Sequence, residues 1–251
     1  MPNWRLQTPV DAIVFDCDGT LSRIEGIDEL ATQNGVGAKV KELTAHAMGE
    51  TGLNESLYQQ RLQLVQPTRA QVLALAQHYF EQRVVGIERL IQLFQQLGKS
   101  VYIVSAGLYP AVAGLGELLQ VPAAHIFAVE IEFDAQGNYV DFNHTSPLAN
   151  NQGKREIVAA IRQKHPAIAY VGDGMNDLAV MPLVARFVGY GGAFYYEKVA
   201  EQCDFYIKSP SMMPLVPLIL TAGEKEKLVG DGLELYEQGE LGIDEGHVQM
   251  L

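Results

Sequence analysis

Ala12-Ile13-Val14-Phe15 is a short run of apolar, β-branched and aromatic residues that stops abruptly at Asp16-Cys17-Asp18-Gly19-Thr20. Such a run, closed by turn-forming residues, reads as a buried strand feeding a functional loop. Residues i and i+2 at a strand end aim the same way, so Asp16 and Asp18 face one site while Cys17 points elsewhere. Cys17 itself reads as a small packing residue. Asp and Gly also build ordinary turns, so these residues alone leave a plain turn open.

Downstream the rhythm turns helical from about Gly26 to Phe80, and Thr68 to Gln71 fits a capping box. Ile87 to Leu97 reads as an amphipathic helix stopped by Gly98. Val101 to Val104 is strand-like and closes in Ser105-Ala106-Gly107, and Tyr109 to Leu119 is helical. Ile126 to Phe133 and Tyr139 to Phe142 read as strands, with Gln136-Gly137-Asn138 as a hairpin signal between them. Gly153 to Lys164 is a helix, Ile168 to Val171 a strand ending in Gly172-Asp173-Gly174, Asn176 to Val184 a helix and Arg186 to Gly189 a strand. Phe205 to Ile207 is expected as the last strand, and one helix with a loose tail after Gly223. Gly35-Val36-Gly37 and Gly114-Leu115-Gly116 lack the third glycine of a dinucleotide fingerprint and read as turns or helix breaks.

Strands alternating with helices predict an α/β fold, Rossmann-like, with a parallel sheet covered on both faces. The helical stretch interrupts that alternation. Residues 23–84 are therefore read as an inserted helical cap, and 1–22 with 85–251 as one discontinuous core.

A formal net charge of -12 makes nucleic acid and anionic membranes poor partners, because both need basic patches. Apolar residues at 48% in 251 residues are ample for a real core. The two cysteines, Cys17 and Cys203, offer no disulfide framework and no zinc spacing. The first ten residues lack a signal-peptide pattern, and no apolar run reaches membrane-spanning length, so the cytoplasm is the expected compartment.

Three segments fall at the C-terminal ends of expected strands, where open α/β sheets place their sites. They are Asp16 to Thr20, Ser105 to Gly107 and Gly172 to Asp177. A carboxylate can attack phosphorus, and a second can protonate the leaving oxygen and later activate water. Asp173 is a hard oxygen ligand suited to Mg2+, with Asp177 binding through water or orienting its neighbours; Asp173 and Asn176 could equally be helix caps. Ser105 and the amides after it can bind phosphate oxygens, although Ser-x-Gly is common in plain turns. Lys154 can neutralise phosphate and nucleophile, although a lone lysine is usually solvated.

Asp-x-Asp-Gly-Thr, then Ser, then Lys, then Gly-Asp-Gly-x-x-Asp, in that order, resembles the four-motif signature of haloacid dehalogenase (HAD) superfamily phosphatases, up to about residue 220. Glu25 to Ala31, Ala47-Met48-Gly49 and Arg61 to Pro67 are similar to phosphoserine phosphatases. The resemblance implies a small helical cap of the C1 type and a Mg2+-dependent phosphomonoesterase working through an aspartyl-phosphate. It implies Asp16 as nucleophile, Asp18 as acid/base, and Mg2+ on Asp16, the Asp18 carbonyl and Asp173, with Asp177 close by. Ser105, Ala106, Gly107 and Lys154 would hold phosphate. Glu25 would meet the substrate's ammonium group and Arg61 its carboxylate, with Met48, Gly49 and Asn176 completing the pocket. Without the resemblance, Glu25 and Arg61 read as surface charges or a mutual ion pair.

The expected substrate is a small phosphorylated metabolite, phosphoserine first, for a monomer or homodimer. Phosphoethanolamine, phosphohomoserine, a sugar phosphate, phosphotransfer and an inactive binding module are the alternatives. The pocket departs from the family pattern in three places. Ala106 replaces a glycine, Glu50 to Asn54 bring no aromatic residue, and Tyr195-Tyr196 stand where some members carry an arginine.

Overall fold

A computed structural model describes residues 4–46 and 54–251 of the chain. Met48, Gly49 and Leu53 lie outside the described residues. The first strand, β1 (Ala12–Phe15), is buried along its whole length. It is the third strand of a seven-stranded sheet of order β3-β2-β1-β6-β7-β8-β9. Its parallel neighbours are β2 (Ser100–Leu108) and β6 (Ile168–Gly172), one on each side. The chain steps outward to β3 (Ile126–Val129) and then returns past β1 to β6 and β7 (Arg186–Tyr190). The strand order therefore reverses at β1, which opens a crevice at its carboxyl end.

Between β1 and β2 come α1 (Gly26–Gln33), α2 (Gly37–His46), α3 (Glu55–Val65), α4 (Arg69–Glu81) and α5 (Ile87–Gln96). The Thr68 capping box opens α4 as expected. After β2 come α6 (Tyr109–Leu118), β3, the hairpin of β4 (Ile131–Phe133) and β5 (Tyr139–Phe142), α7 (Gly153–Arg162) and β6. Among the described residues, no helix is long and apolar enough to cross a membrane.

Several local expectations are corrected. The run from Ile126 to Phe133 is not one strand: it breaks at Glu130, so β3 joins the main sheet and β4 the hairpin. Asn176 to Val184 is not one helix but a single turn, α8 (Met175–Leu178), and a tighter turn over Met181–Leu183. Pro182 cannot donate the backbone bond that a longer helix needs there. Gly114 and Gly116 lie inside α6 and do not break it. A Cβ on Gly114 would run into that of Ala76, so the missing side chain lets α6 press against α4.

Phe205–Ile207 (β8) is not the last strand. After α9 (Glu197–Ala200), β8, α10 (Leu215–Ile219), α11 (Ala222–Lys225) and α12 (Asp231–Asp244), the strand β9 (Val248–Met250) pairs antiparallel with β8. The tail is a sheet edge. Lys99 ties this C-terminal region to the core by donating to Glu224 and to the Val10 carbonyl.

Candidate active site

β1 ends at Phe15, and Asp16 follows with its amide bonded to the Val171 carbonyl on β6. This backbone bond places Asp16 against the end of β6, where Asp173 follows. Asp16, Lys154, Asp173 and Asp177 are all buried. Lys154 at the start of α7 reaches Asp16 Oδ2 at 2.9 Å and Asp177 Oδ1 at 2.7 Å. Burial disfavours the ammonium charge, yet Asp16 and Asp177 together carry the Lys154 pKa above its ordinary value. Burial lifts the Asp16 carboxyl to about 7, against the pull of Lys154 and with help from Asp177 and Asp18.

Ser105 to Gly107 form the last part of β2 rather than a separate loop, with a register shift against β3 between Val104 and Leu108. Ser105 Oγ accepts the Gly107 amide at 2.8 Å, which curls the backbone beside Asp18. Asp18 accepts the Gly26 amide and the Tyr79 hydroxyl at Oδ1, both at 2.6 Å. Asp173 accepts the Thr20 hydroxyl at 3.0 Å. Burial raises the pKa of Asp18 and, much further, of Asp173.

One cavity of about 40 Å3 joins these groups, which is room for more than a single water. Asp16, Asp18, Glu25 and Asp173 line it, against Arg61 and Lys154 as the two cations. The surplus of buried carboxyl groups is a physical reason for a bound cation. Asp16, Asp173 and Asp177 each bring an oxygen within 4.8 Å of the others. The three are not equivalent. Both Asp177 oxygens already accept protein donors, Oδ1 from Lys154 and from Tyr170 at 2.5 Å, and Oδ2 from the Gly174 amide at 2.9 Å. Asp177 caps α8 and fixes Lys154, whereas Asp16 and Asp173 keep oxygens for an ion. The expected cap residues Asp173 and Asn176 do not cap α8; Gly174 occupies that position.

Glu25 and Arg61 are neither surface charges nor an ion pair among the described residues. Both are buried in the cavity wall. Arg61 donates to Thr44 Oγ1 at 3.3 Å, its Nε has no partner among the described residues, and it lies over the Tyr58 ring at 5.7 Å. Glu25 has its pKa pushed far up by burial and by Asp18, Asp173 and Asp28, with Arg61 opposing. Asn176 is 3% exposed, and its Oδ1 also lacks a partner among the described residues. Tyr58, Tyr79 and Tyr170 escaped the sequence reading, and Thr20 was read as part of the first motif without a role of its own; only the ends of these side chains do polar work. Tyr58 donates to the Ala106 carbonyl at 3.0 Å, joining α3 to β2.

The family described as haloacid dehalogenase-like hydrolase matches residues 13–182. The phosphoserine phosphatase of Bos taurus is 34% identical over 199 residues, 78% of this chain and 88% of its own length. The chloroplastic phosphoserine phosphatase of Arabidopsis thaliana is 34% identical over 81% of this chain and 70% of its own. Among solved structures, a phospho-aspartyl intermediate analogue of phosphoserine phosphatase superposes with a TM-score of 0.75 at 24% identity, covering 85% of this chain and all of that one. The last likeness is one of fold, whereas the family match reaches from β1 through the last motif acids. This chain therefore belongs to the haloacid dehalogenase-like hydrolases and is a phosphatase, similar in sequence to the phosphoserine phosphatases.

Proposed function

We propose that this phosphatase hydrolyses O-phosphoserine to serine and phosphate, through an aspartyl-phosphate on Asp16. The observation that carries the reading is Arg61, a buried guanidinium whose Nε has no partner among the described residues, sharing one cavity with the buried carboxyl of Glu25. A zwitterionic amino acid needs one cation for its carboxylate and one anion for its ammonium group. The curated relatives named phosphoserine phosphatase support the same substrate.

Asp16 attacks phosphorus in line while the bond to the seryl oxygen breaks, and Asp18 gives that oxygen its proton. Asp18, now anionic, takes a proton from a water that attacks the phosphorus and frees Asp16. Lys154 holds Asp16 as the anion and, with the backbone around Ser105 to Gly107, faces the phosphate oxygens. Asp16, Asp173 and the Asp18 carbonyl would hold Mg2+, which would neutralise charge on the transferring phosphoryl group. Asp177 acts through Lys154. Residues 23–84 act as a cap over the core 1–22 and 85–251, and the Tyr58 bond to Ala106 supports a closed arrangement. Closure keeps bulk water from the first step. The cytoplasm is the proposed compartment, consistent with two free buried cysteines.

The test is phosphate release from a panel of small phosphomonoesters with and without Mg2+, with Asp16→Asn as the dead control. Phosphoserine is expected to lead. Arg61→Ala should lower kcat/KM for it by about 10- to 100-fold, the range of a lost hydrogen bond to a charged group. Phosphoethanolamine carries no carboxylate and should be indifferent to that change. Equal use of phosphoserine and phosphoethanolamine by the native enzyme would sink the carboxylate reading.

A further inference from the structure

We propose that Tyr79 is a positioning residue for the acid/base step, holding Asp18 so that one particular oxygen, Oδ2, faces the leaving group. The inference rests on the acid/base role proposed above for Asp18.

The Tyr79 hydroxyl and the Gly26 amide both donate to Asp18 Oδ1 at 2.6 Å. An amide N–H can only donate, so Oδ1 must stay an acceptor. When Asp18 carries its proton, that proton belongs on Oδ2. Among the described residues no donor is bonded to Oδ2, which lies beside Gly107, close enough that a Cβ there would stand 2.9 Å away. Oδ2 therefore looks into the cavity between β1 and the end of β2, on the side of the phosphate-facing backbone. Rotation of the carboxyl group would break two short hydrogen bonds at once. The same atom can then give a proton to the seryl oxygen and later take one from water.

Tyr79 is itself locked. It is buried, 1% exposed, near the end of α4. Ser22 donates its hydroxyl to the Tyr79 carbonyl at 2.9 Å, and the Arg23 amide bonds the Gln82 carbonyl at 2.9 Å. These bonds fasten the end of α4 to the chain just after Asp18. Gly26 completes the arrangement, because any Cβ at that position would collide with the Tyr79 hydroxyl.

The experiment is Tyr79→Phe, read as the single-turnover burst of serine from phosphoserine and of acetate from acetyl phosphate. A seryl alkoxide needs a proton to leave, whereas acetate leaves as the anion. General acids contribute ~10²–10⁴-fold, so loss of the orienting hydroxyl should slow the serine burst by about tenfold or more. The acetate burst should change far less, and KM for phosphoserine should hold. Gly26→Ala, which displaces the hydroxyl from the other side, must show the same bias and covers the case in which Tyr79→Phe folds poorly. Equal slowing of both bursts, or slowing of neither, overturns the role of Tyr79. Asp18→Asn is run alongside. If it slows both bursts equally, the acid role of Asp18 has failed; if it shows the bias and Tyr79→Phe does not, only the role of Tyr79 has failed.

Discussion

Lys154 Nζ lies 2.9 Å from Asp16 Oδ2, with both side chains buried. The ammonium group also meets Asp177, so one cation offsets two carboxylates. Removing one partner of a buried charge cluster is strongly destabilising, by ~3–5 kcal/mol, because the survivors are left uncompensated. Lys154→Met should therefore lower the free energy of unfolding by about 3 kcal/mol near neutral pH. The deficit should shrink toward acid pH, since burial already raises Asp16 and loss of the lysine raises it further, letting it take up a proton. Denaturant unfolding at two pH values measures this. A deficit that grows on acidification would contradict the charge account.

How much of this site the sequence carries depends on what kind of constraint each residue answers to. Asp16, Asp18 and Asp173 were legible because phosphoryl chemistry fixes residue type and strand-end position together, whereas Lys154, at the start of α7, and Asp177, in α8, were legible through their place in the motif order. β1 was legible because a fully buried strand must be continuously apolar. Glu25 and Arg61 were legible only through the family resemblance, since an isolated charge reads as surface. Tyr79, Tyr58 and Tyr170 sit at apolar positions of helix or strand patterns, and packing explains them fully until the fold shows where each hydroxyl lands. β9 was missed because Val248-Gln249-Met250 is too short for any periodicity, and only the edge of β8 makes it a strand.

Magnesium should stabilise the protein as well as activate it. A ligand that binds the native state alone adds about 2.7 kcal/mol at a hundredfold excess over its Kd. Asp173 and Asp177 should then separate. Asp173 keeps oxygen for an ion beyond its bond from Thr20, whereas both Asp177 oxygens are taken. Asp173→Asn should abolish the rise in melting temperature on adding Mg2+, without lowering stability in a chelator, because it removes a carboxyl that burial already holds unfavourably. Asp177→Asn should keep the Mg2+ response but lower stability in the chelator, by releasing Lys154, Tyr170 and the α8 cap. The opposite pattern would make Asp177 the direct ligand.

A histidine ties α3 to the β4–β5 hairpin. His144 Nδ1 meets Glu55 at 2.8 Å and its Nε2 meets Asp141 at 3.0 Å, while the ring lies 4.2 Å from that of Phe142. Both ring nitrogens can donate only in the charged form. The hydrogen bond to Glu55, then that to Asp141, raise its pKa above the model-compound value of 6.5. A pKa raised in the folded state gives stability that is complete below the unfolded value and disappears as pH climbs through the folded one. The native protein should therefore melt above His144→Gln by a margin that is largest near about pH 5.5 and has faded by about pH 8.5, bracketing the usual histidine range. Melting curves of the two proteins across that span decide it. A margin that is flat, or that widens as pH rises, would mean that the bridge between Glu55 and Asp141 does not depend on the imidazolium charge.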